Sequence, residues 1–420
     1  MTALILVAIV IALLALRQSV ILILFVAAAY MHFFFGDGDV TYLIDDVWTA
    51  INRDVLLAIP MFVLAGNIMT RGSIAERLIN IMRALTQWLP GGLAVATILS
   101  CAVFAALSGS SPVTLLAVGS ILYPALLEQG YPKKFALGAL ASGGTLGVVI
   151  PPSIPMILYA IVTENSVSDL FIAGVIPGIL LTGVLGTYAL VSNRKMVAIP
   201  FNLMQLVAAL QRGIFALMTP VILLGGIYSG YFSATEAAAV AVGYALIVEV
   251  FVHREIKLRD FFTIAVDTAR LLGTLFPIVA IALSINLWLT AEQVPQDLAR
   301  WMTGTVDDKL TFLILLNVFL LAIGCLIDIG AAILMLAPIL LPIAMAYGID
   351  PIHFGVIMVV NLEIGYLTPP IGLNLIVAMT AFKEDFLLIC QSVLPFIGLM
   401  LCVLAIVVWV PEVSLLLLDR

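Results

Sequence analysis

Charge is what this 420-residue sequence has least of. Asp, Glu, Lys and Arg make up 10% of it, against 63% hydrophobic residues and a mean hydropathy of +1.23. Soluble domains run at about half apolar and a quarter charged, so a water-soluble globular fold is excluded. The net charge of −7 is modest, and the basic residues fall in short clusters between apolar runs, which offers no nucleic-acid surface. Cysteine is scarce too. Cys101, Cys325, Cys390 and Cys402 lie inside apolar runs without metal-ligand spacing and are expected to pack as small buried hydrophobes. His32, His253 and His353 stand near the ends of apolar runs, far apart, and form neither a ligand set nor a triad; interfacial placement is expected. No G-x-x-x-x-G-K-[ST] nucleotide loop occurs. No Lys or Arg precedes the first apolar run, Ala3 to Leu16, so it is read as a short span and not as a cleavable signal.

Apolar runs fill the rest of the chain. Single spans are expected at 3–16, 20–35, 54–70, 169–191, 213–230, 231–252, 272–290 and 386–410. Each is long enough, or nearly so, to cross roughly 30 Å of hydrocarbon as a helix. Two stretches differ in kind. Residues 71–89 place Ile74, Leu78, Ile81 and Leu85 at helical spacing beside several charges, and 292–306 resemble them; both predict amphipathic helices in the interface. Asn67, a lone amide in the third span, is read as a helix–helix hydrogen-bonding group.

An internal repeat organises these runs. At an offset of 218 residues, Pro124 falls on Pro342, Gly130 on Gly348, Gly147 on Gly365, Pro151-Pro152 on Pro369-Pro370 and Pro177 on Pro395. The chain therefore reads as two halves, 1–205 and 206–420. Each holds a hairpin (91–128 and 309–345) followed by a broken helix (133–163 and 353–383). If each hairpin returns to its own side, each half crosses the membrane an odd number of times, and the second half is inverted. On that scheme Arg17, Arg71, Arg77, Arg83, Lys133, Lys134, Arg194, Lys195, Arg212, Arg254, Lys257, Arg259, Arg270 and Lys383 share one side. Only Arg53, Arg300, Lys309 and Arg420 share the other. The positive-inside rule makes the first side cytoplasmic and puts both termini outside.

The hairpins and broken helices carry the chemistry. The first hairpin turns at Ser108-Gly109-Ser110-Ser111-Pro112, where Ser111 reads as an N-cap and Pro112 as the first helical residue. The first broken helix holds Gly143, Gly144, Thr145 and Gly147 before Pro151, Pro152 and Ser153. In the second half the breaks fall at Asp328-Ile329-Gly330 and along Asn361 to Asn374, which includes Glu363, Gly365, Thr368, Pro369 and Pro370. By the offset, Ser110 corresponds to Asp328 and Thr145 to Glu363. Paired prolines interrupt the hydrogen-bond ladder and glycines admit close approach. Isolated, each would be a kink in a packed helix; four symmetric breaks point to ion and substrate sites. Half-helix N-termini suit a carboxylate, and unwound carbonyls suit a small cation. Acids inside apolar runs are costly and mark function by default. Asp328 reads equally as a helix cap and as an ion attractor.

The stretches LSGSSPVT, GYPKKFALGALASGGTLGVVIPPSIPMILYA and SDLFIAGVIPG, with the second-half segment from LIDIG to NLEIGYLTPPIGLNL, resemble the large membrane subunit of tripartite ATP-independent periplasmic (TRAP) transporters. The resemblance runs over essentially the whole chain. It implies an all-α polytopic fold of two inverted repeats with elevator-type movement, in a bacterial inner membrane with periplasmic termini. It also implies a sodium symporter importing an organic acid such as sialic acid or a C4-dicarboxylate. The expected partners are a small four-helix membrane subunit on a separate chain and a periplasmic substrate-binding protein. No cofactor is expected; Na⁺ is a co-transported ion. The family's sodium sites carry over to Ser108, Gly109, Ser110, Ser111, Gly143, Gly144, Thr145, Gly147, Pro151, Asp328, Gly330, Gly365, Thr368 and Pro369. Pro152, Ser153, Asn361, Pro370 and Asn374 are the candidate substrate contacts. A stand-alone sodium/dicarboxylate symporter is the alternative. A membrane-embedded enzyme or scaffold is the alternative of another class, but an enzyme needs a converging nucleophile, base or metal set and the sequence presents none.

Overall fold

The computed structural model describes residues 2–16, 18–35 and 41–418, and among these the regular structure is entirely helical. Arg17 and Arg420, two of the residues placed by the charge argument, lie outside the described residues. The first half runs α1 (Thr2–Ala15), α2 (Val20–Phe34), α3 (Thr41–Ile51), α4 (Ala58–Arg71), α5 (Ile74–Thr86), α6 (Gly92–Ser108), α7 (Ser111–Glu128), α8 (Lys133–Val149), α9 (Ile154–Thr163) and α10 (Val167–Ser192). The second runs α11 (Leu203–Tyr228), α12 (Ala234–Leu246, continued as a π-turn to Val252), α13 (Leu258–Ala291), α14 (Val294–Thr305), α15 (Lys309–Gly324), α16 (Ile329–Ala346), α17 (Pro351–Gly365), α18 (Leu373–Phe382) and α19 (Phe386–Trp409), with a last turn, α20 (Glu412–Leu415). Among the described residues, nine helical stretches are long and apolar enough to cross a membrane. This is an all-α polytopic membrane protein.

Local chemistry sets the helix starts. Ser19, Ser153, Ser166, Asn202, Ser233, Asp308, Asp328, Asp350 and Asp385 each accept a hydrogen bond from a first-turn amide of the helix that follows. Ser233 and Glu236 complete a capping box.

The 218-residue offset holds element by element. Adding 218 to Ser111 and Glu128 gives Ile329 and Ala346, the bounds of α16. Lys133 maps to Pro351, the first residue of α17, and the bounds of α9 fall within one residue of those of α18. Both paired prolines, Pro151-Pro152 and Pro369-Pro370, have cis peptide bonds. The halves diverge at their first helices, 14 residues in α1 against 26 in α11, and again further on. The segment matching α3 and α4 is a single 34-residue helix, α13, in the second half. In the first half it breaks where Arg53 takes an extended conformation. The sequence reading placed a span only at 272–290 and did not single out α3; the charged start of α13 and the mixed α3 hid both.

Side-chain contacts sort the loops into two sets. In one set, Arg71 pairs with Asp267 at 2.5 Å, Arg77 donates to the Arg212 carbonyl at 2.8 Å, and Lys133 pairs with Glu384 at 2.7 Å. In the other, Arg53 donates to the Ile161 carbonyl at 3.1 Å, Tyr159 to the Pro351 carbonyl at 2.7 Å, and Tyr347 to the Val306 carbonyl at 2.7 Å. These groupings follow the division of basic residues drawn from the sequence.

Three expectations need correction. The amphipathic helix α5 buries Ile74, Leu78 and Ile81 against α6 and α11, so its apolar face meets protein. His32 and His353 are buried inside the protein although they sit at helix ends; His32 Nε2 lies 3.2 Å from Ser284 Oγ. Cys402 is exposed and Cys325 half-buried, while Cys101 and Cys390 are buried as expected. Asn67 does join two helices, donating to Thr268 Oγ1 at 2.8 Å.

Glycine sets the tightest packing between the halves. A Cβ at Gly138 of α8 would stand 2.2 Å from the Ser392 carbonyl oxygen of α19, an atom that cannot turn away. Gly138→Ala is therefore expected to destabilise the protein by about 1–3 kcal/mol. Gly398→Ala, in open space, should not. Thermal unfolding in detergent checks the pair: Gly138→Ala lowers the midpoint and Gly398→Ala leaves it in place.

Candidate functional site

A cavity of about 390 Å³ lies between the two hairpin tips. Ser110, Ser111 and Pro112 line it from the first hairpin, and Asp328, Ile329 and Gly330 from the second. Ile154 and Pro155 enter from the first broken helix, and Tyr366 and Leu373 from the second. Leu271, Thr274, Leu275 and Ile278 of α13 form a wall. Thus the first residues of α7, α9, α16 and α18 all border one space. Among the described residues its lining contains no Lys, Arg or His, and Asp328 is its one ionisable carboxyl.

The four helix starts are not equivalent. Asp328 Oδ1 caps α16, accepting from the Gly330 and Ala331 amides at 2.8 and 3.2 Å. Its Oδ2 accepts from the Tyr366 hydroxyl, which itself accepts from the Ile329 amide at 3.0 Å. Ser153 caps α9, accepting from the Met156 amide at 3.3 Å, and donates to the Val148 carbonyl at the broken end of α8. The starts of α7 and α18 have no side-chain cap. The sequence reading put the N-cap of α7 at Ser111; the helix begins there, and Ser110 is the uncapping flank in extended conformation.

The first tip is cross-linked by hydroxyls. Ser108 Oγ and Thr114 Oγ1 share a 2.7 Å hydrogen bond, and Thr114 also donates to the Ser110 carbonyl at 2.9 Å. Gly109 takes φ +58°, and a Cβ there would meet the Pro152 carbonyl oxygen at 2.7 Å. A Cβ at Gly147 would meet the Ser110 carbonyl oxygen, also at 2.7 Å. Only glycine lets the tip and the broken helix bring their carbonyls this close. At the second tip a Cβ at Gly365 would stand 2.5 Å from the Gly324 carbonyl carbon.

The predicted residues divide accordingly. Gly109, Ser110, Ser111, Asp328 and Gly330 line the cavity. Ser108, Gly147, Pro152 and Ser153 support it from behind through the contacts just given. Asn374 ties the halves together, donating to Ser111 Oγ at 2.6 Å and to the Ala141 carbonyl at 3.2 Å. Thr368 donates to the Ile364 carbonyl at 2.9 Å in its own helix end. Gly143 and Gly144 pack against Cys101 and Leu115. Asn361 faces α15, donating to Asn317 Oδ1 at 2.6 Å, and is not part of the cavity wall. Thr145 and Glu363, equivalent under the offset, lie side by side and fully buried. The Glu363 carboxyl oxygens have no hydrogen-bond partner among the described residues.

Sequence reasoning missed Thr114, Tyr366 and the α13 wall. Tyr366 stood within the break motif, and Thr114 sits one turn into α7; both could have been flagged as polar groups beside a break. Nothing local marks the α13 wall. A further tie joins the halves at the hairpin root, where Tyr123 donates to Glu384 Oε1 at 2.8 Å and Lys133 contacts Oε2 at 2.7 Å. The hydrogen bond from Lys133 holds the Glu384 carboxyl below the usual carboxylate range.

Comparison with known proteins now bears on this geometry. The family described as "Tripartite ATP-independent periplasmic transporter, DctM component" matches residues 7–413. The chain is 45% identical over 363 residues to the C4-dicarboxylate TRAP transporter large permease protein DctM of Pseudomonas aeruginosa, covering 86% of this chain and 85% of that one. It is 39% identical to the protein of the same name from Rhodobacter capsulatus, covering 88% of each. Identity is 34% to the sialic acid TRAP transporter large permease protein SiaM of Vibrio cholerae, covering 94% and 93%. Among solved structures, the YdaH transporter of Alcanivorax borkumensis has a similar fold, with a TM-score of 0.62 at 14% identity over 88% of this chain and 86% of that one. With helix breaks in register across both halves and this match over nearly its full length, the chain belongs to the DctM family, the large permease component of TRAP transporters.

Proposed function

We propose that this permease couples sodium entry to import of a small organic acid, a C4-dicarboxylate or a related carboxylate, delivered by a periplasmic binding protein and assisted by a small membrane subunit. The observation that carries the reading is the meeting of four helix N-termini at one cavity that has no basic side chain among the described residues. An anion there must be held by backbone N–H groups, hydroxyls and helix dipoles. The uncapped start of α7, with the Ser110 and Ser111 hydroxyls beside it, is the natural seat for a carboxylate. The relatives named for C4-dicarboxylates and sialic acid support an acid substrate.

Asp328 supplies the coupling logic. A carboxylate sharing a cavity of this size lies within about 8 Å of Asp328, where repulsion is about 2 kcal/mol at an effective dielectric of about 20. A cation bound at the second tip removes that penalty, so sodium binding precedes or accompanies substrate binding. Carbonyls of the unwound segments, with Gly109, Ser110, Gly365 and Pro369 among them, are the remaining oxygen donors. The halves are read as inverted repeats that carry the cavity across the membrane by an elevator-type movement. The arginine-rich side is the cytoplasmic one.

Uptake into proteoliposomes holding the permease, its small subunit and a cognate binding protein is expected to follow an inward sodium gradient. Uptake that persists unchanged in potassium-only medium would sink the sodium reading, and uptake without the binding protein would favour the stand-alone symporter. Asp328→Asn should weaken apparent sodium affinity at least tenfold and leave the fold intact, as judged by thermal unfolding. Sidedness has its own test. With the four native thiols removed, cysteine replaces Tyr131 or Ile349, the symmetric hairpin exits. An impermeant thiol reagent added outside intact cells should label position 349 and spare 131; the reverse pattern would overturn the topology.

A further inference from the structure

A second cavity, about 600 Å³, lies apart from the one between the hairpin tips. It lies between α5 and the first turns of α11, on the arginine-rich side. Arg77, Arg83 and Arg212 line it, with Glu76 and Glu255. Two hydrogen bonds brace it: Arg77 Nη1 to the Arg212 carbonyl at 2.8 Å, and Gln87 Nε2 to Gln205 Oε1 at 3.0 Å. Arg77 is fixed further by donating Nε to Ser73 Oγ at 3.0 Å. The Arg83 and Arg212 guanidinium groups have no carboxylate within ion-pair distance among the described residues. Three guanidinium groups against two carboxylates leave the lining net positive, and the two arginines outside any ion pair are suited to a phosphate, which guanidinium groups bind through paired N–H donors.

The second observation is what surrounds the cavity. At the Gln87–Gln205 end of the cavity the flanking residues Trp88, just past the end of α5, and Met204, 82% exposed, are large, apolar and open. The loop that joins the halves adds Val197, 90% exposed and bordering a small recess with Arg83 and Gln87. A polar, arginine-lined cavity with an apolar rim matches both ends of a phospholipid, whereas a soluble anion has no use for the rim. Exposed tryptophan beside it suits the headgroup level of a bilayer.

We propose that this cavity binds the phosphate headgroup of an anionic phospholipid, with the acyl chains lying along the apolar rim. The lipid comes from the leaflet facing the arginine-rich side, which is the cytoplasmic leaflet on the sidedness read above. Bound there, it bridges α5, which packs on the first hairpin, to α11. Basic pockets between membrane helices hold anionic headgroups by this combination of charge and shape.

Quenching of Trp88 tests the site in the full-length chain reconstituted in phosphatidylcholine bilayers. The Trp88 signal is the difference between the native chain and Trp88→Phe. Phosphatidylglycerol with brominated chains is expected to quench it at a several-fold lower mole fraction than brominated phosphatidylcholine. The double variant Arg83→Gln with Arg212→Gln should raise that mole fraction roughly tenfold at an unchanged unfolding temperature. Glu76→Gln, which removes a repelling acid, should lower it, and this variant decides the matter if the double variant fails to fold. Equal quenching by the two lipids overturns the proposal, as does a phosphatidylglycerol preference that neither variant shifts. Displacement of the lipid by millimolar inorganic phosphate would make this a soluble-anion site. Loss of quenching on addition of the small membrane subunit would give the surface to that protein. None of these readouts depends on transport, so the proposal stands or falls apart from the sodium-coupled reading.

Discussion

Backbone amides and carbonyls in the interior of a membrane protein must find partners, and this fold turns on how it satisfies them at its four breaks. An unpaired peptide group in hydrocarbon costs several kcal/mol, so a helix can stop at membrane depth only against protein or water. The structure meets that demand by making the breaks face one another. The Gly109 carbonyl at the first tip accepts from the Ile154 amide at the start of α9, at 3.2 Å. The Cys325 carbonyl at the second tip accepts from the Gly372 amide before α18, at 3.3 Å. Each hairpin tip thus completes the broken helix of its own half. What these bonds leave open, chiefly the uncapped start of α7, is turned toward the cavity.

Close approach is the condition for such bonds, and it explains the glycines. Gly109, Gly147 and Gly365 are where backbone meets backbone, and each lacks room for a Cβ. Gly183, Gly186 and Gly398 sit in open space and mark nothing. A count of glycines would not separate the two groups; their position next to a break does.

That distinction governs how much the sequence revealed. Helix breaks are local events, written in Pro-Pro, Gly and Ser-Pro, so the hairpins, the broken helices and the 218-residue offset were legible from residues alone. The lining residues Ser110, Ser111 and Asp328 followed because they sit at the breaks. Asp328 proved to be the cap that its place before α16 suggested. What could not be read was distance across the fold. The α13 wall is an ordinary apolar helix face, and only folding brings it to the tips. The α5 helix looked like an interfacial amphipath because its pattern of one apolar face is the same whether the face meets lipid or α6 and α11. Asn361, drawn in by its proximity to the second break, points to Asn317 of α15.

The departures from symmetry matter as much as the repeat. Two identical halves would present the same chemistry at both tips and bind two equivalent ligands. Here Ser110 stands where the second half has Asp328, so one tip offers a hydroxyl and an open helix start while the other carries a charge that already fills its helix start. The first tip leaves its helix-start amides open; at the second, Asp328 already accepts from them. An unbroken α13, in place of the separate α3 and α4, gives the cavity one continuous wall that does not belong to either hairpin. The repeat supplies two apposed tips, and the substitutions within it leave one with an uncapped helix start beside hydroxyls and the other with a helix start capped by a carboxylate.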